Sequence, residues 1–151
     1  MHATIYQISD VPVDKENYID ETYLPEWFWN KMDYADVIDD KDAEERCICT
    51  GERPGLHFDK EKKLLTVTDK NAYFKTKYDD FKSHVAKLTD CTLDEFVKGS
   101  CDVSVYHIQM VYDDEYDIYV CDSDGVLETL DQWVRYSDGT AYIGAVLDYH
   151  Y

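Results

Sequence analysis

The sequence predicts an α+β fold: a mostly antiparallel sheet packed with two to four helices in a single compact domain. Three observations predict it. Short runs of alternating apolar residues recur toward both ends of the chain, bounded by Gly, Pro and Asp turns. One long stretch in the middle carries a helical stripe instead. The connections between candidate strands are short enough for antiparallel neighbours. With 151 residues, the chain is long enough to bury one real core.

The first strand is predicted over residues 3–9 and ends near Val11-Pro12, because proline cannot donate to a sheet ladder. A helix is expected over 16–23, and a second over 26–32 with Pro25 at its first turn. Residues 33–45 hold seven acids against one base, Lys41. Residues 46–50 read as a short strand, followed by the turn residues Gly51, Pro54 and Gly55, and 63–68 as another strand. The clearest helix covers 70–88, where Phe74, Tyr78, Phe81, Val85 and Leu88 recur at spacings of 4, 3, 4 and 3, with Asp69 as its N-cap. A shorter helix is expected over 93–98, capped by Thr92 and Glu95 and stopped by Gly99.

The last third reads as sheet with one helix. Residues 103–112 alternate like a strand and lead through an acidic loop into a second strand, 116–121, as an antiparallel hairpin. Asp124-Gly125 makes a turn. Val126, Leu127, Leu130, Trp133 and Val134 have helical spacing, and Ser137-Asp138-Gly139 turns the chain into a final strand over 141–149. Gly144 inside that strand marks a bulge or a close approach.

Charge narrows the function. Acids outnumber bases 33 to 15, a net charge of -18. Phosphates repel such a surface, which excludes direct binding to DNA, RNA or anionic lipid. The acidity is concentrated in residues 1–50 (13 acids, 4 bases) and 101–151 (11 acids, one base), and a nearly neutral helical middle, 51–100, separates them. The whole, 1–151, is expected to fold as one domain without repeats or linkers. No run approaches the ~20 apolar residues of a membrane helix. The N-terminus lacks the basic and apolar regions of a secretion signal, so the expected address is the cytoplasm, that of a host cell if the chain is phage-encoded. The cysteines are Cys47, Cys49, Cys91, Cys101 and Cys121; an odd count without a secretion signal predicts free thiols.

Motifs for catalysis are missing from the sequence. It holds no Gly-rich phosphate loop, no HExxH zinc helix and no GxSxG elbow. Cys47 and Cys49 on a strand would face the same way and could share a zinc ion, but no second ligand pair follows, so buried thiols are the better reading. His57 reads as a turn or surface residue and His107 as a packed sheet residue. Asp122-Ser123-Asp124-Gly125 fails as a calcium loop because Val120 falls at the first ligand position. No catalytic residue, metal ligand or cofactor is therefore assigned, and a non-enzymatic protein is expected.

The acids form candidate patches for a basic partner. Asp33, Asp36, Asp39 and Asp40 lie in the first acidic segment, and Asp33, Asp36 and Asp40 would form a row if that segment were helical. Asp113, Asp114, Glu115 and Asp117 would cluster at a hairpin tip. Asp122, Asp124, Glu128 and Asp131 would add a patch from the following turn and helix. Tyr34, Tyr112, Tyr116 and Tyr119 lie among these acids and would supply contact area with a polar tip, the alternative being ordinary sheet and core packing. In size, acidity and lack of catalytic motifs, the chain is similar to two classes of small inhibitor. One is the DNA-mimic proteins of phages and mobile elements, including antirestriction and anti-CRISPR proteins; the other is the acidic immunity proteins of nuclease toxins. The resemblance implies an inhibitor that covers the basic nucleic-acid-binding surface of a nuclease or CRISPR effector. The alternatives are an immunity protein acting the same way, and a structural or assembly domain whose acidity serves solubility.

Overall fold

The computed structural model describes residues 1–112 and 116–151. The elements run β1 (His2–Ser9), two single 3-10 turns (Lys15–Asn17 and Glu21–Tyr23), α1 (Glu26–Trp29), β2 (Tyr34–Val37), α2 (Asp40–Gly51), β3 (Leu56–Asp59), β4 (Leu64–Val67), α3 (Lys70–Thr89), α4 (Leu93–Val97), α5 (Asp102–Tyr112), β5 (Tyr119–Cys121), β6 (Leu127–Thr129), α6 (Leu130–Tyr136) and β7 (Thr140–His150). The protein is α+β. Six α-helices are present among the described residues, more than the two to four expected. Contacts divide the chain into two compact units, residues 1–70 with 116–151 and residues 71–115, and the composition changes at neither seam.

The first unit holds a seven-stranded mixed sheet with the order β3-β4-β7-β1-β5-β6, and β2 pairs with β7. Every pairing is antiparallel except β1 with β5, which are parallel. β7 is the spine. Along one edge β1 covers nearly its full length; along the other, β4 pairs with residues 140–142 and β2 with residues 147–150. One face of the sheet carries Ile5, Leu147, Tyr149, Tyr119 and Ala35, packed against Ile19, Leu24, Phe28 and Met32. Phe28 is fully buried there, its ring edge-on to Tyr149 at 5.5 Å and to Tyr119 at 6.3 Å. The other face carries Tyr6 toward α2, where its hydroxyl donates to the Arg46 carbonyl at 2.9 Å and bonds the Thr50 hydroxyl at 2.8 Å.

Several expected elements are corrected. Residues 46–50 are not a strand but the C-terminal half of α2, whose half-buried to buried stripe is Ala43, Cys47 and Thr50. The acids before it belong to the first turns of that helix, where negative charge suits the backbone dipole. Cys47 and Cys49 therefore point about 200° apart instead of sharing a face; Cys47 is buried and Cys49 exposed. The helix expected over 16–23 is two 3-10 turns separated by Tyr18–Asp20. Residues 127–129 are a strand, and α6 begins only after Thr129, whose side chain caps it together with Gln132.

The largest correction falls in the second unit. Residues 103–112 form α5 instead of a strand. Cys101, just before α5, and Ser104, Ile108 and Val111 on it are buried or half-buried, as is Met110, and the first four recur at 3, 4 and 3, which is a helical stripe. With that strand gone there is no hairpin, and β5 pairs with β1 and β6 instead. His107 is a helix residue whose ring stacks on His84 of α3, centroids 4.6 Å apart and planes 12° apart. Desolvation and the neighbouring Lys87 and His107 push the His84 imidazole below its usual range. Cys91 and Cys101 are joined as a disulfide around α4, which corrects the expectation of five free thiols. The capping box of Thr92 and Glu95 and the positive φ of Gly99 (74°) are as the sequence predicts.

Candidate partner-binding surface

The expected acidic residues do not gather into one row. Asp33 precedes β2, Asp36 lies on it, and Asp39 and Asp40 open α2. Asp122, Asp124 and Glu128 belong to the β5–β6 hairpin. In the sheet, β7, β1 and β5 lie between β2 and β6, a span of roughly 19 Å at ~4.8 Å per strand. The helical row of Asp33, Asp36 and Asp40 is thus not formed, because 34–37 is strand and the helix starts at Asp40. Asp113, Asp114 and Glu115 lie outside the described residues.

Several of these acids serve local structure. Asp39 caps α2, its carboxylate accepting from the Lys41 and Asp42 N–H groups at 2.9 and 3.0 Å. Asp40 accepts from the Lys15 ammonium, which holds its carboxyl below the usual range. Asp122 accepts from the Asp124 and Val126 N–H groups, both at 2.9 Å, and closes the turn at Gly125. Asp117 pairs with Arg53 at 3.5 Å. Burial first, then the negative charge of Asp122, pushes the half-buried Glu128 carboxyl up. Asp131 sits half-buried in the first turn of α6. Tyr119 is only 4% exposed and belongs to the core, so it offers no contact area. Tyr116 stacks on Tyr151 with centroids 4.6 Å apart and stays partly exposed.

Asp33, beside His150 at 2.8 Å, and Asp36 keep their carboxylates exposed, and the stretch around them holds Tyr23, Trp27 and Trp29, which the sequence reading did not name. Between residues 20 and 37 there are five acids (Asp20, Glu21, Glu26, Asp33, Asp36) and one base, Lys31. The same stretch exposes Tyr23, Trp27, Trp29 and Tyr34 at 55%, 42%, 38% and 46%. Helix geometry explains the tryptophans. Phe28 points into the core, so its neighbours, each turned about 100° away, project to either side. On β2, Ala35 faces the core, so Tyr34 and Asp36 share the opposite face, where the Tyr34 hydroxyl donates to Asp36 at 3.2 Å. Loss of water and the negative charges of Asp36, Asp148 and Glu21 together push the Tyr34 phenol above its usual range. The legible signal was the Trp-Phe-Trp triplet after Pro25-Glu26, since a one-turn helix can bury only the middle ring.

A second polar cluster lies on the α2 side of the sheet. The Arg46 guanidinium donates to Asp148 at 2.7 Å, to the Thr4 hydroxyl at 2.9 Å and to the Ala3 carbonyl at 3.2 Å. His2 bonds the other Asp148 oxygen at 2.6 Å. Asp148 lies directly opposite Asp36 in the β2–β7 register. Arg46 and His2 offset the repulsion between that carboxylate pair. Among the described residues, no group of three or more His, Cys, Asp or Glu is arranged to hold a metal ion, and no helix is long and apolar enough to cross a membrane. Comparison with known proteins finds no matching family model, no matching curated protein and no matching solved structure.

Proposed function

We propose that this protein is a non-enzymatic inhibitor that docks an acidic, aromatic face onto the basic nucleic-acid-binding surface of a nuclease or CRISPR effector and keeps DNA or RNA out. The observation that carries the reading is the stretch of residues 20–37 at the β2 edge, which exposes four aromatic rings and holds five acids against one base. Carboxylates there steer the encounter with a lysine- and arginine-rich channel, and the rings hold the complex once docked. The use of the other ionisable groups supports binding over catalysis. Asp39, Asp117, Asp122 and Asp148 cap, brace or pair within the fold, and the buried Cys47 and Cys121 thiols are pushed up by burial to about 12 and about 11, too high to serve as nucleophiles.

The test is inhibition of target cleavage by a guide-loaded CRISPR effector and by a set of basic nucleases, at low and at high salt. Inhibition should weaken as salt rises and should fall at least tenfold in Trp27→Ala/Trp29→Ala and in Glu21→Lys/Asp33→Lys/Asp36→Lys. Inhibition that survives both variants, or no inhibition of any of these enzymes at low salt, would overturn the proposal.

A further inference from the structure

The second edge of β7 is interrupted. β4 leaves it after Tyr142 and β2 joins it at Leu147, so no ladder pairs residues 143–146 on that side, and the ends of the gap are tied by the Ile143 N–H to the Lys63 carbonyl at 2.8 Å and the Ile38 N–H to the Val146 carbonyl at 3.0 Å. A groove of about 620 Å³ lies at this gap, between the start of α2, the β3–β4 hairpin and the buried edge of β7. Its size is that of a small-molecule site. Val37, Ile38, Phe58, Ile143 and Val146 give it an apolar lining. Its rim carries three lysines, Lys15, Lys60 and Lys63, and three acids, Asp39, Asp40 and Glu44, of which Asp39 caps α2. Two of the lysines are matched by carboxylates: Lys15 by Asp40, and Lys60 by Glu44 at 2.6 Å.

Lys63 is different. Its ammonium makes its hydrogen bond to a neutral group, the Tyr18 hydroxyl at 3.0 Å, lies 5.7 Å from the centre of that ring, and feels the Asp40 carboxylate only through space. Its φ of 51° is the only positive value at a non-glycine position among the described residues. Lysine gains nothing from a left-handed backbone, and Gly or Asn would sit there with less strain. Strain of this kind persists where the side chain has a use. The Lys63 carbonyl also accepts from the Ile143 N–H at 2.8 Å, which fixes the residue at the mouth of the groove.

We propose that this groove binds a small amphipathic anion, with an apolar chain or ring along the Phe58 and Ile143 wall and its anionic group on Lys63. The buried Cys47 thiol beside the lining remains protonated, so the site binds its ligand without covalent attack. The groove shares only Val37 with the stretch that carries the inhibitory reading, and none of the residues changed to test that reading line it.

Decanoate is the probe, with decanol as the neutral analogue and inorganic phosphate as the bare anion, followed by titration calorimetry and methyl NMR. Decanoate should bind one to one and shift the Val37, Ile38, Ile143 and Val146 methyl signals. Decanol should bind at least tenfold more weakly, and phosphate alone should not bind. Lys63→Asn should weaken decanoate at least tenfold yet melt at or above the wild-type temperature, since Asn accepts the backbone angle. Ala43→Phe, which fills the groove from α2, should abolish binding. Failure of decanoate to bind, equal binding of decanol, unchanged affinity in Lys63→Asn, or methyl shifts elsewhere would each overturn the proposal.

Discussion

The carboxamide of Gln7 occupies the space that a side chain at Gly144 would need: a Cβ at position 144 would lie 2.4 Å from Gln7 Oε1. That oxygen accepts from the Ala145 N–H at 2.9 Å and the Ile19 N–H at 3.2 Å, while the Gln7 amide nitrogen donates to the Asn17 carbonyl at 2.9 Å. The β1–β7 register shifts at this point, between Tyr6 and Ile8. One buried side chain thus serves three backbone groups across a bulge and ties the first 3-10 turn to the sheet.

Gly144→Ala should therefore destabilise the protein by about 2–4 kcal/mol, combining overpacking with the cost of displaced buried hydrogen bonds. Gln7→Ala should cost a similar amount, because two N–H groups lose their acceptor. The double variant should cost clearly less than the sum of the two, as urea denaturation of all four proteins would reveal. Additive costs would mean that the contact does not couple the two positions.

Acid stability should depend on Asp148. Burial opposes its ionisation, but the hydrogen bonds and charges of Arg46 and His2 outweigh that and hold its carboxyl below the usual range. A depressed carboxyl stabilises the fold above its unfolded value near ~3.9, and that contribution fades as pH falls through the lower folded value. Asp148→Asn should flatten the acid limb of a stability-against-pH curve below about pH 4. Arg46→Ala should cost about 2–4 kcal/mol at neutral pH, because it leaves a mostly buried carboxylate with one partner fewer. An acid limb unchanged in Asp148→Asn would refute the linkage.

Thiol labelling should separate the five cysteines into three classes. In the native protein iodoacetamide should modify the exposed Cys49 and spare the buried Cys47 and Cys121. In denaturant without reductant, three cysteines should react, and five only after reduction, because Cys91 and Cys101 are paired. Mass spectrometry reads this directly. Five adducts in denaturant alone would show that the bridge is not formed.

The sequence was most legible where local chemistry is decisive. The α3 helix, the Thr92–Glu95 capping box, the glycine turns at 99, 125 and 139 and the long last strand follow from side-chain spacing and backbone preference, although Tyr78 of the expected α3 stripe is exposed and Tyr73, off that stripe, is the buried residue. Gly144 could be read as a close approach, though not that Gln7 makes it. The misreadings fall where one local pattern fits two structures. The β-branched run from Val103 to Val111 alternates well enough for a strand, and only its neighbours in the second unit make it a helix. Arg46 to Thr50 is ambiguous in the same way.

Charge, the type of most elements and the α+β class were determined by the sequence alone, because they depend on composition and on residues a few positions apart. The tertiary structure decided which acids stay outward, which rings are exposed and where β7 is left unpaired. These depend on contacts between residues far apart in the chain, such as Arg46 with Asp148 and Gln7 with Ala145. An acid that caps a helix and one that faces water look the same in a sequence. They differ only in what the folded chain brings beside them.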